Sequence, residues 1–124
     1  MHIGYSEYMT PEAFLPLPNA TFHILLALAD EDRHGYGIIG DIESRTGGKL
    51  RLSPGTLYRS IQRMVEQDLI VETDERPAPD LDDERRRYYR ITPFGRKVAK
   101  AETARMLSLV DHARALGFAG KERG

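Results

Sequence analysis

Apolar residues in this chain recur at helical spacing, then at strand spacing, then at helical spacing again. From Asn19 to about Ala29 nearly every position is apolar. Phe22, Leu25, Leu26 and Ala29 share one face, and Ile24 and Leu28 widen it, which predicts a helix buried on more than one side. Asp30 to Gly35 breaks it. A second helix is predicted over Tyr36–Thr46, with Ile38, Ile39 and Ile42 inward and Gly47 and Gly48 closing it. Lys49 to Leu52 reads as a short extended link. The third helix starts at Ser53, an N-cap, followed by Pro54 in the first turn. Leu57, Ile61, Met64 and Val65 then form one stripe, and the pattern ends near Asp68.

Two strand-like runs follow. Leu69 to Glu75 is apolar and β-branched, and Arg85 to Thr92 alternates. The alternation puts Tyr89 and Ile91 on one face and Tyr88 and Arg90 on the other. Between the runs lies a polar, proline-containing stretch, Arg76 to Glu84, so a hairpin with a long tip is expected. Thr92-Pro93 opens a last helix reaching about Leu116, roughly 36 Å at 1.5 Å per residue. Upstream, Thr10-Pro11-Glu12 signals one short turn, stopped by Pro16 and Pro18. The expected organisation is an arm over 1–18, a domain over 19–92, a helix over 93–116 and a tail over 117–124. Helix, helix, helix, hairpin, long helix is the order of a winged helix-turn-helix domain, a mainly α (α+β) fold, carrying a long C-terminal dimerisation helix.

Composition narrows the function. The chain has 124 residues, 40% of them hydrophobic, and no Cys. That suits one domain with its own core and excludes disulfides and thiolate metal sites. A cytoplasmic protein is expected. No basic segment precedes an apolar run at the N-terminus, and no apolar stretch approaches the ~20 residues that span a bilayer. No metal site, cofactor or enzyme activity is expected: the four His residues form no HExxH, and no GxSxG or phosphate loop is present. His23 reads as a packed core residue and His34 as part of a turn.

Net charge is −1, which counts against nucleic acid until its distribution is considered. Arg85, Arg86, Arg87 and Arg90 stand together in the second strand, while acids collect at Asp30–Asp32 and Asp80–Glu84. Arg side chains on a hairpin can grip phosphates or straddle the minor groove. On the third helix, Gly55, Thr56, Arg59, Gln62 and Arg63 lie opposite the Leu57 stripe. Arg reads guanine and Gln reads adenine in the major groove, and the helix N-terminus favours a phosphate. The competing reading of these faces is a solvated surface, in a winged-helix module that contacts proteins and not DNA.

In the last helix Ala99, Thr103, Met106, Val110 and Ala113 alternate steps of four and three, with Leu107 and Leu109 beside them. A helix this long outreaches the core of a small domain, so a homodimer is expected.

The segments HILLALAD, HGYGIIGDIESRTGGKLRLSPGTLY and RRRYYRITPFGR, in that order, resemble the PadR family of winged-helix regulators. The resemblance covers roughly Leu17 to Lys100. It implies a homodimeric repressor of double-stranded DNA operators with inverted-repeat symmetry, relieved by a small hydrophobic or aromatic effector. It places the family's motif positions on Tyr36, Ser53, Gly55, Thr56 and Tyr58, and the wing cations on Arg86, Arg87 and Arg90. Arg59 stands where many members carry Pro, so its base-reading role rests on geometry alone. The single C-terminal helix matches the short members of the family.

Overall fold

The computed structural model describes residues 9–74 and 87–120. A turn of 3-10 helix, Pro11–Phe14, precedes α1, Asn19–Leu28. Then come β1 (Arg33–His34), α2 (Gly35–Arg45), α3 (Pro54–Glu66), β2 (Ile70–Thr73), β3 (Tyr88–Ile91) and α4 (Pro93–Ala115). The strands form one antiparallel sheet in the order β1-β3-β2.

Local chemistry sets the boundaries. Ser53 Oγ accepts the Thr56 amide at 3.2 Å, and Thr92 Oγ1 accepts the Gly95 amide at 2.8 Å, each ahead of a first-turn proline. His34 caps α2 through Nδ1, which accepts the Gly37 amide at 3.1 Å. The turn chemistry expected of His34 is thus what the residue does. Gly47 and Gly48 adopt positive φ after α2, as a helix-closing pair should.

The core joins Ile24, Leu25 and Leu28 of α1 to Ile38, Ile39 and Ile42 of α2. Leu57, Ile61 and Met64 of α3, Leu69, Ile70, Ile91 and Val98 complete it. Complete burial of one such side chain stabilises by about 1.5–3 kcal/mol. Two sequence expectations shift here. In α1 the inward face centres on Thr21, Ile24, Leu25 and Leu28, while Leu26 and Ala29 are exposed. An almost wholly apolar helix carries little directional signal, so its neighbours choose the face. Val65 likewise turns outward, leaving Leu57, Ile61 and Met64 as the buried stripe of α3.

The sheet differs as well. β1 falls in the segment expected only to break a helix. By pairing with β3 it makes β3 the central strand, with Arg33 opposite Tyr89 and His34 opposite Tyr88. Tyr88 is therefore buried like Tyr89, its ring edge-on to His34 at 5.3 Å, and does not share an open face with Arg90.

The start of α4 is fixed against the start of β2. The Thr92 amide donates to the Leu69 carbonyl at 3.1 Å, and its hydroxyl to the Asp68 carbonyl at 2.6 Å. A Cβ on Gly95 would stand 2.1 Å from the Leu69 carbonyl oxygen, so only glycine fits there. Further on, Glu102 is fully buried on α4. It accepts the Leu17 amide at 2.8 Å and pairs with Arg105. The Arg105 guanidinium, and then the Leu17 amide, hold its carboxyl below the usual range against the opposing effect of burial. With Phe14 edge-on to Phe94 at 5.4 Å, this fastens the segment before α1 to α4.

Candidate nucleic-acid interface

The exposed side of α3 lies between the N-terminus of α1 and the β2–β3 ribbon. Counting from Leu57 at about 100° per residue, Gly55, Arg59, Gln62 and Glu66 fall within about 45° of the direction opposite the core. All four are exposed. Ser53, Thr56 and Arg59 form a polar chain over the first turn: Ser53 Oγ lies 3.1 Å from Thr56 Oγ1, and Arg59 Nη2 lies 3.5 Å from it. The guanidinium is held near the helix N-terminus, where backbone amides also point outward.

Tyr36 and Tyr58 flank this surface and are exposed, Tyr36 by 64%. Tyr58 passes across the start of α2: a Cβ on Gly35 would meet its hydroxyl at 2.3 Å. Beyond Tyr58 a groove of about 490 Å³ separates α3 from the ribbon. Ile61, Val65 and Tyr89 supply its apolar wall, and Gln62, Glu66, Glu72 and Arg87 its polar rim. Burial, and then the Glu72 carboxylate, push the Tyr89 phenol up.

The ribbon cations separate in the structure. Arg87 is exposed, with its Nε 3.7 Å from Glu72. Arg90, read from the sequence as a wing cation, is committed to Asp32: Nε lies 3.2 Å from both carboxylate oxygens and Nη2 2.8 Å from one. The pairing arises because β1 carries the Asp30–Asp32 loop to the edge of β3. Arg86 lies outside the described residues.

Of the sites read from sequence, Tyr36, Ser53, Gly55, Thr56, Tyr58, Arg59, Gln62 and Arg63 come together around α3. Ala99 packs against the core, whereas Met106, Leu107, Leu109 and Val110 project from the far half of α4 and are exposed, and Ala113 is half-buried. Asp32, Thr21 and Glu102 escaped sequence reading. Nothing in the local pattern marks the partner of a distant Arg, nor the single carboxylate of a long helix that turns inward.

The family model for the transcriptional regulator PadR-like family matches residues 24–101. The chain belongs to this family. It is a family of transcriptional regulators and not of enzymes.

Relatives and solved structures agree with the assignment. The chain is similar to the transcriptional regulator Rv3488 of Mycobacterium tuberculosis, 40% identical over 74 residues, covering 60% of this chain and 63% of that protein. It is also similar to an uncharacterized protein X of Lysinibacillus sphaericus, 35% identical over 59% of this chain and 64% of that one. The chain therefore spans less than two thirds of these relatives' length. A transcriptional regulator from Clostridium thermocellum shares its fold at a TM-score of 0.62 with 27% identity, over 77% of this chain and 86% of that one. A PadR family regulator from Clostridium difficile gives 0.67 at 21% identity, over 80% and 98%. Among the described residues no helix is long and apolar enough to cross a membrane.

Proposed function

We propose that this PadR-like regulator is a cytoplasmic, homodimeric repressor that binds an inverted-repeat operator. The observation that carries the reading is the α3 surface. Arg59 and Gln62 stand outward on the front of a helix whose first turn is free of acidic side chains, flanked by exposed Tyr36 and Tyr58. In this reading α3 enters the major groove, Arg59 and Gln62 meet base edges, and Arg87 meets the flanking backbone. Ser53 and Thr56 hold the first turn and Arg59 in place, and Gly55 keeps the approach open.

Dimerisation follows from α4. Beyond Glu102 the helix leaves the core, yet it carries exposed Met106, Leu107, Leu109 and Val110. Thr103 turns its hydroxyl back to the Ala99 carbonyl at 2.9 Å, so it adds no unmet polar group to the seam. A second copy would bury this surface and set two α3 helices about one turn of DNA, ~34 Å, apart. An effector would be a small hydrophobic or aromatic molecule held where the two α4 helices meet.

Fluorescence anisotropy with labelled duplexes, beside analytical ultracentrifugation of the free protein, tests the reading. Two protomers per duplex and affinity falling steeply with salt are expected. Salt-independent binding, or none, would leave a winged-helix module for protein contact.

A further inference from the structure

Alongside α3, on the side away from the ribbon, lies a cleft of about 210 Å³ lined by Pro18, Thr21, Thr56, Arg59, Ser60 and Arg63. Its chemistry is uniform. The α3 wall offers two guanidinium groups and two hydroxyls. The opposite wall is the first turn of α1, which has no side-chain cap. The helix's own bonding begins with the Phe22 amide, on the Pro18 carbonyl at 3.2 Å. Among the described residues nothing accepts from the amides of Asn19, Ala20 and Thr21.

Thr21 gives an independent sign of a ligand. It is only 4% exposed, lines the cleft, and its hydroxyl has no hydrogen-bond partner among the described residues. A side chain this nearly buried ordinarily has its polar group hydrogen-bonded, so a hydroxyl on the wall of a cationic cleft with no protein partner marks a place for an acceptor. The position of the α1 turn is itself fixed, because the buried Glu102 carboxylate takes the Leu17 amide two residues ahead of the helix.

We infer that this cleft is a phosphate-binding site and that it takes one backbone phosphate of the bound duplex. A phosphate oxyanion matches every group present: guanidinium donors, hydroxyls and unpaired helix amides. The inference rests on the DNA-binding reading above and gives Arg63, which the sequence places on the groove-reading face of α3, a different task. Counted from Leu57 as before, Arg63, Thr56 and Ser60 lie about 55° to 115° from the outward direction, on the α1 side. Arg63 therefore anchors the backbone beside the groove and does not read a base, leaving base contact to Gln62 and to Arg59, which borders both the cleft and the outward face. Because Glu102 sits on α4, the phosphate anchor and the proposed dimer helix are tied to one carboxylate.

The test uses the full chain, the operator duplex and an unrelated duplex. Arg63→Gln is expected to weaken both duplexes by the same factor, about ten-fold or more. It should also lower the slope of log affinity against log salt by about one. One phosphate per half-site, replaced by an uncharged methylphosphonate, should give a matching loss. That loss should vanish in Arg63→Gln and shrink in Thr21→Val, which keeps the side-chain volume. Thermal melting of both variants checks folding, and Arg63, being exposed, is the safer of the two. Altered preference among base-substituted operators with an unchanged salt slope would overturn the inference. So would methylphosphonate losses that simply add to both variants. If the wild-type chain binds no duplex, the DNA-binding reading fails first and takes the cleft with it.

Discussion

The Tyr58 hydroxyl occupies the space over Gly35 where any other residue would carry its Cβ, 2.3 Å from that position. The contact ties α3 to the first residue of α2. Tyr58 is half exposed, so it can swing away from an added methyl group. Gly95 presents the opposite case, since its would-be Cβ meets the Leu69 backbone carbonyl at 2.1 Å, and a backbone cannot swing.

The same substitution should therefore act differently at the two glycines. Gly95→Ala is expected to cost about 3 kcal/mol of stability or more, as overpacking against backbone does. Gly35→Ala should cost under about 1 kcal/mol but weaken DNA binding as much as Tyr58→Ala does. The double variant Gly35→Ala, Tyr58→Ala should bind like Tyr58→Ala alone. Urea unfolding and anisotropy titrations read the two effects separately.

Arg90 and Arg87 offer a second contrast. Arg90 is held two-pronged by Asp32, and its loss should lower stability by about 1 kcal/mol, the upper range for a partly exposed pair. Its salt slope for DNA should stay that of the wild type. Arg87→Gln should leave stability unchanged and flatten the slope by about one. Thermal melts and salt titrations of both variants decide.

Glu102 makes stability depend on acid. Its folded value lies below the ordinary 4.5, chiefly through Arg105, so the unfolded chain takes up the proton first as pH falls. Its contribution is complete above that value and drains away as pH drops through the depressed one. Glu102→Gln should reduce the loss of stability as pH falls from about 5 to 3, the range in which an unperturbed carboxyl takes up its proton. Urea midpoints of wild type and variant across that range provide the measurement, with equal slopes counting against the Leu17–Glu102 link.

Val110→Glu tests the dimer. A carboxylate on the proposed seam meets its own symmetry mate in a desolvated place. The dissociation constant of the dimer should rise about 100-fold, ~3 kcal/mol, with the protomer still folded. Sedimentation gives the constant and circular dichroism the fold.

Much of this was legible in the sequence because caps and stripes are local. Ser53-Pro54 and Thr92-Pro93 announce α3 and α4, and Leu57, Ile61 and Met64 fix which side of α3 faces the core. The unread parts are long-range. β1 has two residues, too few for a pattern, yet it decides that Tyr88 is buried and that Asp32 reaches Arg90. The cleft beside α3 needs the start of α1 next to Arg63, a neighbourhood made by packing of α1 on α3 through the core, which no local pattern announces. The outer half of α4 was readable as a stripe, since exposed Met106 and Val110 keep helical spacing where no core requires it.

The most direct measurement is selection of bound duplexes from fragmented source genome by the purified chain, repeated across a salt series. Enrichment of an inverted repeat with half-sites about one helical turn apart, lost steeply as salt rises, is the result a dimeric α3 reader predicts. Weak binding that is blind to sequence, with no repeat enriched, would contradict it.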